Sequence, residues 1–373
     1  MRNWNRGVNV AQFVVGFDLG KDYSQICCWN PSLGEPVSVS VVAGAEKYRI
    51  PTESLELFLK KSLKLLKPYG KVHEAAAVVF SVEEMEEGLV ERIKKAAMQL
   101  IGISESRIYI QTWRESFCAY VLNQPREIWR HHAVLFGYEG EVLKAASLNI
   151  NPHTKPFLAR VESAENWQIP LSGLQPKEKD EAFQALIREV FASRPVSAVY
   201  LVGEGFEEKW YEGSLRLLCN GRRVFAGNNL YAKGACYRAA QSVQPRERAP
   251  YVFLGADKIS YNVGLRTPGM GKAGVYTLLN AGESWYEAKA ECEALLCEEP
   301  VVEVIFQPMQ GTEGQKESLL LDGLPDRPPR TTRVRIGVEF LSVDRLRVSV
   351  RDLGFGELFP STDLCWTEEV ELS

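Results

Sequence analysis

The stretch Val14-Val15-Gly16-Phe17-Asp18-Leu19-Gly20 decides how the chain is read. Its apolar residues make a strand, Asp18-Leu19-Gly20 makes a tight turn, and a second strand runs on to residue 30. A β-turn of this kind can aim backbone N–H groups at phosphate oxygens. Asp18 can hold a magnesium ion through water. The same pattern also closes ordinary hairpins, so the neighbouring elements must decide between a site and a plain turn.

Outward from this hairpin the chain alternates strands and helices. Ser38–Ala43 reads as a third strand, and 53–67 carries apolar residues at helical spacing. Ala75–Phe80 is a buried strand. Ser81 is expected to cap a helix that runs to Ile101, with Glu83 and Glu84 in its first turn. Arg107–Gln111 is the next strand and Glu115–Leu122 the next helix. After a hairpin built from Val134–Phe136 and Lys144–Asn151 come a helix at 177–192 and a buried strand at 196–202. Val224–Ala226 and a small-residue helix, Ala232–Ala240, follow. Such alternation implies an α/β domain with a largely parallel sheet.

The pattern changes near Gln241–Pro250, which is polar and proline-bearing and reads as a linker. Beyond it, Val301–Phe306, Val334–Leu341 and Arg345–Arg351 alternate as strands, which predicts an all-β sandwich. The stretch 284–296 fits either a helix or a strand. The predicted domains are 1–243, a linker at 244–250, and 251–373.

Composition narrows the function classes. In 373 residues, 45% are hydrophobic, 25% are charged, and the net charge is -4. This suits a packed globular protein and gives no reason to expect nucleic acid as a partner. No apolar run is long enough to span a bilayer. The polar start does not resemble a signal peptide, so a cytoplasmic location without membrane contact is expected. The eight cysteines form no CxxC pair, and the four histidines lack metalloprotease spacing.

Three further elements fall in the order that a phosphate site needs. Glu115 opens a small-residue helix just after a strand. Gly203-Glu204-Gly205 follows a buried strand, where backbone can pass close to an adenosine. Ala232-Lys233-Gly234-Ala235 stands where a helix would pack beneath that loop.

With these elements in this order, the chain resembles the seventy-kilodalton heat-shock chaperones of the actin-like ATPase superfamily. Gly16 to Ser24 looks like their first phosphate motif, Leu201 to Gly205 like their adenosine motif, and Ile259 to Leu265 like the first strand of their peptide-binding sandwich. The resemblance covers nearly the whole chain, and collinear order carries it more than any single motif. It implies a two-lobed α/β nucleotide-binding domain of the ribonuclease-H type, followed by an all-β sandwich. It implies ATP or ADP with magnesium as ligand, and a polypeptide client as partner. Asp18 and Glu115 would hold metal and water, while Gly20, Lys21, Gly203 and Gly205 would contact the nucleotide. Thr267, Met270, Val302 and Val304 match positions near the family's peptide cleft, although the two valines read equally as core.

The departures are specific. Lys21 and Asp22 stand where the family has hydroxyl residues facing the terminal phosphate. Lys21 is either a phosphate-contacting cation or a solvated turn residue. Phe136-Gly137-Tyr138-Glu139-Gly140-Glu141 replaces the second phosphate loop, and its aspartate is gone. Losing that group would cost on the order of 2–4 kcal/mol of barrier. The subdomain that clamps adenine looks reduced, and the helical lid is expected to be missing. Two readings follow: a chaperone-like protein that binds nucleotide weakly and is at most a weak ATPase, or a pseudo-ATPase serving as an interaction module. A small-molecule kinase of the same superfamily is disfavoured, because no substrate insertion is visible.

Overall fold

Two strands, β1 (Val14–Leu19) and β2 (Tyr23–Asn30), form the antiparallel hairpin that nucleates the first sheet, with Asp18 opposite Gln25. The computed structural model describes residues 12–372, except 43–47, 87, 154–155, 193, 228, 244–250, 268–273, 298 and 310–313. The predicted linker and Met270 lie outside the described residues. The chain divides into two units, Met1–Gly255 and Ala256–Ser373.

In the first unit, β3 (Glu35–Ser38) and β4 (Ile50–Pro51) both pair with β2. The third strand thus lies earlier than predicted, because Gly34, with φ 69°, closes a tight turn right after Asn30. Helix α1 (Leu55–Leu66) is capped by Ser54, whose hydroxyl accepts from Leu57 N at 3.2 Å. Strand β5 (Ala77–Val82) lies parallel to β1, and β6 (Ile108–Thr112) lies parallel to β5. Ser81 is not a helix cap. It stays in β5, and its hydroxyl accepts from Ser116, which accepts from Gln111 Nε2, in a buried polar chain. Helix α2 (Leu89–Ile101) begins only after Gly88.

Helix α3 (Trp113–Leu122) leads to a second sheet. Strands β7 (His132–Glu139), β8 (Val142–Asn151) and β9 (Phe157–Glu162) form a meander, and β10 (Gln168–Pro170) pairs with β8. After α4 (Pro176–Phe191), β11 (Val196–Val202) runs parallel to β7. After α5 (Glu212–Leu218), β12 (Arg223–Ala226) runs parallel to β11. Helix α6 (Leu230–Ser242) and β13 (Tyr251–Phe253) complete the unit. The main strand orders are β3-β2-β1-β5-β6 and β9-β8-β7-β11-β12. Both sheets therefore have a three-stranded meander whose first strand takes one parallel neighbour, which in turn takes a second. Tyr251–Phe253, placed by the sequence reading at the start of the sandwich domain, instead pairs with β9.

Helices α1 and α2 cover one face of the first sheet, through Phe58, Leu59, Leu66, Ile93 and Ala97. Helix α6 covers the other with Ala232, Ala235, Cys236 and Ala239. On the second sheet, α4 packs Phe183, Leu186, Ile187 and Val190 against one face, and α3 packs Phe117, Cys118 and Val121 against the other. Small residues let these layers approach closely. A Cβ on Gly16 would stand 2.3 Å from Cys236 N, and one on Gly234 would stand 1.9 Å from Ser116 O.

The second unit is all β. One antiparallel sheet holds β14 (Tyr261–Thr267), β15 (Gly274–Leu279), β17 (Val301–Pro308) and β18 (Gln315–Leu320) in the order β15-β14-β17-β18. The other runs β16-β19-β20-β21, from β16 (Lys289–Leu295), β19 (Arg333–Phe340), β20 (Arg345–Gly354) and β21 (Cys365–Glu371). The alternating inner residues of the two sheets, among them Val304, Phe306, Ile336 and Val348, share one core. Lys289–Leu295 is a strand despite its helix-forming alanine and glutamate, because pairing with β19 along its length overrides local propensity.

Candidate functional site

In the first unit, the ends of β1 and β7 open onto a cleft of about 590 Å³, a size typical of ligand pockets. Asp18, Gly20 and Lys21 line it, as do Gly137, Glu139 and Glu204. Asp18 is the penultimate residue of β1 and is partly buried. Gly20 is required by the turn, since a Cβ there would lie 2.1 Å from Tyr23 O. Lys21 is exposed.

Glu139 is the residue that the sequence reading missed. Gly137 lines the cleft from β7 but cannot supply a carboxylate. Glu139 lies two residues further along the same strand and so projects to the same side. Both residues line the cleft. Period-two counting along β7 is the signal that finds it. Burial, then the Glu139 carboxylate, push the Asp18 carboxyl from the ordinary 3.8 up to about 8. Glu139 is itself raised by burial, against the opposing pull of Arg49 and with help from Glu83, Glu204 and Asp22.

The adenosine-type loop also differs from expectation. Gly203 and Gly205 are absent from the described lining, whereas Glu204 is present. The glycines instead make room for Tyr138. A Cβ on Gly203, with φ 109°, would stand 2.2 Å from Tyr138 O, and one on Gly205 would stand 2.0 Å from the Tyr138 ring. That ring packs edge-on to Phe206 and Trp210. Glu204 is held by Arg49 at 3.3 Å, and Arg49 also reaches Glu207 at 3.5 Å. Arg49 thereby links the β4 edge of the first sheet to the loop after β11.

Glu115, expected beside Asp18, does not appear in the described lining. It sits in the first turn of α3, where its N–H donates to the Thr112 cap at 3.4 Å. Burial first, and then the Glu115 carboxylate, push the Cys118 thiol up. The structure thus brings Asp18, Gly20 and Lys21 together but leaves Glu115, Gly203 and Gly205 outside the cleft wall.

A magnesium nucleotide fits these residues poorly. Asp18 and Glu139 could each take part in holding a cation. Among the described residues, however, no group of three or more His, Cys, Asp or Glu side chains is arranged to bind a metal. The cleft lining also includes the acidic residues Glu139 and Glu204. In the second unit, Val302 and Val304 are 5% and 1% exposed and belong to the core, not to an open groove. Thr267 ends β14, opposite Gly274. Among the described residues, no helix is long and apolar enough to cross a membrane.

Comparison with known proteins gives a family without an activity. No curated protein matches the chain. Among solved structures, the inorganic polyphosphate/ATP-glucomannokinase of Arthrobacter sp. strain KM is similar at 11% identity and a TM-score of 0.37. That match covers 62% of this chain and 100% of that one, a likeness too slight to bear on activity. The model of a domain of unknown function, DUF8552, matches residues 258–372. The model of the family of unknown function DUF5716, C-terminal, matches residues 40–256, more than half of the sequence, and the chain belongs to that family.

Proposed function

We propose that the chain is a non-hydrolysing module of actin type that acts as a scaffold and engages a polypeptide partner through its all-β unit. The repeated strand order of the first unit, with α3 and α6 packed on the two sheets, supports the actin-type reading. One observation carries the absence of turnover: Asp18 and Glu139 line the same cleft, at the turn that this reading assigns to a terminal phosphate. Phosphoryl transfer needs negative charge neutralised there, and a second carboxylate without a metal-binding group does the opposite. The absence of Glu115 from the described lining agrees with this.

The test is phosphate release by the full chain with ATP and magnesium. No release above the uncatalysed rate is expected. Turnover abolished by Glu115→Ala would overturn the reading.

A second reading, a chaperone-like protein that binds ATP or ADP without efficient turnover, is favoured by the cleft's volume and by Lys21 at its edge. It requires nucleotide to raise the melting temperature, with about 2.7 kcal/mol of stabilisation at a hundredfold excess over Kd. An unchanged melting temperature removes it.

A further inference from the structure

Each four-stranded sheet of the second unit ends in two strands with a partner on one side only, β15 and β18 in one sheet and β16 and β21 in the other. Such an edge presents a row of backbone N–H and C=O groups that can pair with another chain. Charged side chains are a common protection. Lys289 and Glu291 stand on β16, Lys316 and Glu317 on β18, and Glu369 and Glu371 on β21. Strand β15 reads Gly-Val-Tyr-Thr-Leu-Leu and carries neither charge nor proline.

Its exposed residues are of the kinds that favour a strand. Val275 is 54% exposed and Tyr276 is 56% exposed, and Thr277 is exposed beside them. Tyr276 stands opposite Leu265 of the core, and residues directly opposite one another share a face of the sheet. The Tyr276 ring thus belongs to the core side, yet more than half of it is uncovered. Leu278 bulges out of the pairing with β14, which leaves Gly274 to Thr277 as the regular stretch. Among the described residues, no backbone hydrogen bond joins this stretch to any strand but β14.

The chemistry of the edge selects its occupant. Pairing β15 with a charged edge of another molecule would draw lysine or glutamate out of water beside an uncharged strand. Such a head-to-tail contact also need not close. Pairing with β15 of a second copy buries no charge. A two-fold axis through the pair makes the strands antiparallel and ends the assembly at a dimer.

We propose that β15 is a self-association surface, at which two copies of the chain join edge to edge through antiparallel β15 strands. The sheet of one sandwich then continues into that of the other. The short regular stretch makes the dimer a weak one. This goes beyond the scaffold reading and does not rest on it.

Sedimentation equilibrium of the full chain tests it. A reversible monomer–dimer equilibrium is expected, with a Kd on the order of 1–100 µM. Thr277→Lys and Val275→Lys give β15 the protection that the other edges have. Each should raise the Kd about tenfold or more, while leaving the melting temperature of the dilute protein unchanged. Ser318→Lys, at an exposed position of the β18 edge, should leave the dimer intact. In the parent chain, deuterium exchange at the β15 amides should slow as concentration rises. A chain that stays monomeric at about 1 mM would overturn the proposal. So would a dimer that both β15 variants leave intact, or one that Ser318→Lys also breaks. Protection of the β15 amides only on adding a short uncharged β-branched peptide would assign the edge to a foreign strand. That outcome overturns self-association and leaves the scaffold reading standing.

Discussion

Asp352 in the all-β unit and Asp18 in the α/β unit are carboxylates withdrawn from water to different degrees and treated in opposite ways. Asp352 is fully buried and saturated with donors. Arg327 grips it through two hydrogen bonds of 2.9 Å, and Gly354 N, Thr362 N and the Thr362 hydroxyl complete its shell. Burial alone would raise its pKa, but the Arg327 guanidinium and these N–H donors overcome that and hold it well below the usual carboxylate range. Asp18 has Glu139 as its charged neighbour, and burial and that neighbour push it to about 8. A buried charge whose partners are all supplied is a structural fastening. One pushed up by burial and a like-charged neighbour instead marks a candidate functional position.

The largest expected effect breaks the satisfied member of the pair. Arg327→Leu strands the Asp352 charge and should destabilise the second unit by about 3–5 kcal/mol in denaturant unfolding. The depressed pKa means that this stabilisation is full above the ordinary carboxylate value and is lost as pH falls through the folded value. The variant should therefore lose much of its acid-dependent stability change. A cost below about 1 kcal/mol would erase the contrast.

Next comes the close packing that holds the cleft's elements in place. Gly16→Ala puts a methyl group 2.3 Å from the backbone N of Cys236, where no flexible side chain can yield. A loss of about 2–3 kcal/mol is expected in the same assay.

Asp18→Asn should act in the opposite direction. The folded pKa of about 8 lies above the ordinary 3.8. Between those values the folded state keeps a proton that the unfolded chain releases, so stability falls as pH rises. Asparagine cannot titrate, so the variant should be more stable than the parent near pH 8, by on the order of 1–3 kcal/mol. The difference should shrink towards pH 4 in melting curves. A destabilised variant at pH 8 would mean that Asp18 is already satisfied, as Asp352 is.

The smallest effect is expected at Arg49→Ala. Its partners Glu204 and Glu207 are 50% and 61% exposed. The loss should be about 0.3–1 kcal/mol and should fade in molar salt.

Much of the architecture was legible because its signals are local. Gly16 to Gly20 fall in a strand and turn, the apolar spacing of 53–67 belongs to α1, and the change to alternating strands, read as beginning at residue 251, lies close to the start of the second unit at Ala256. The failures share one cause, long-range pairing. Tyr251–Phe253 became a partner of β9, and Lys289–Leu295 became a partner of β19. Ser81 was drawn into the chain from Gln111 through Ser116. In the candidate site, Asp18, Gly20 and Lys21 were singled out at the turn and line the cleft. Glu139 was hidden by matching position for position, when the strand's period of two was what mattered.

The sequence by itself determined the class of each unit, because hydrophobic periodicity and turn residues act over a few positions. It also determined that an Asp-Leu-Gly turn ends the first strand. Only the tertiary structure decided what that turn faces. Asp18, Glu139 and Glu204 come from separate strands and loops, and two sheets must assemble before their charges meet. Electrostatics acts through space, so the character of the cleft was fixed by that meeting and not by any motif in the chain.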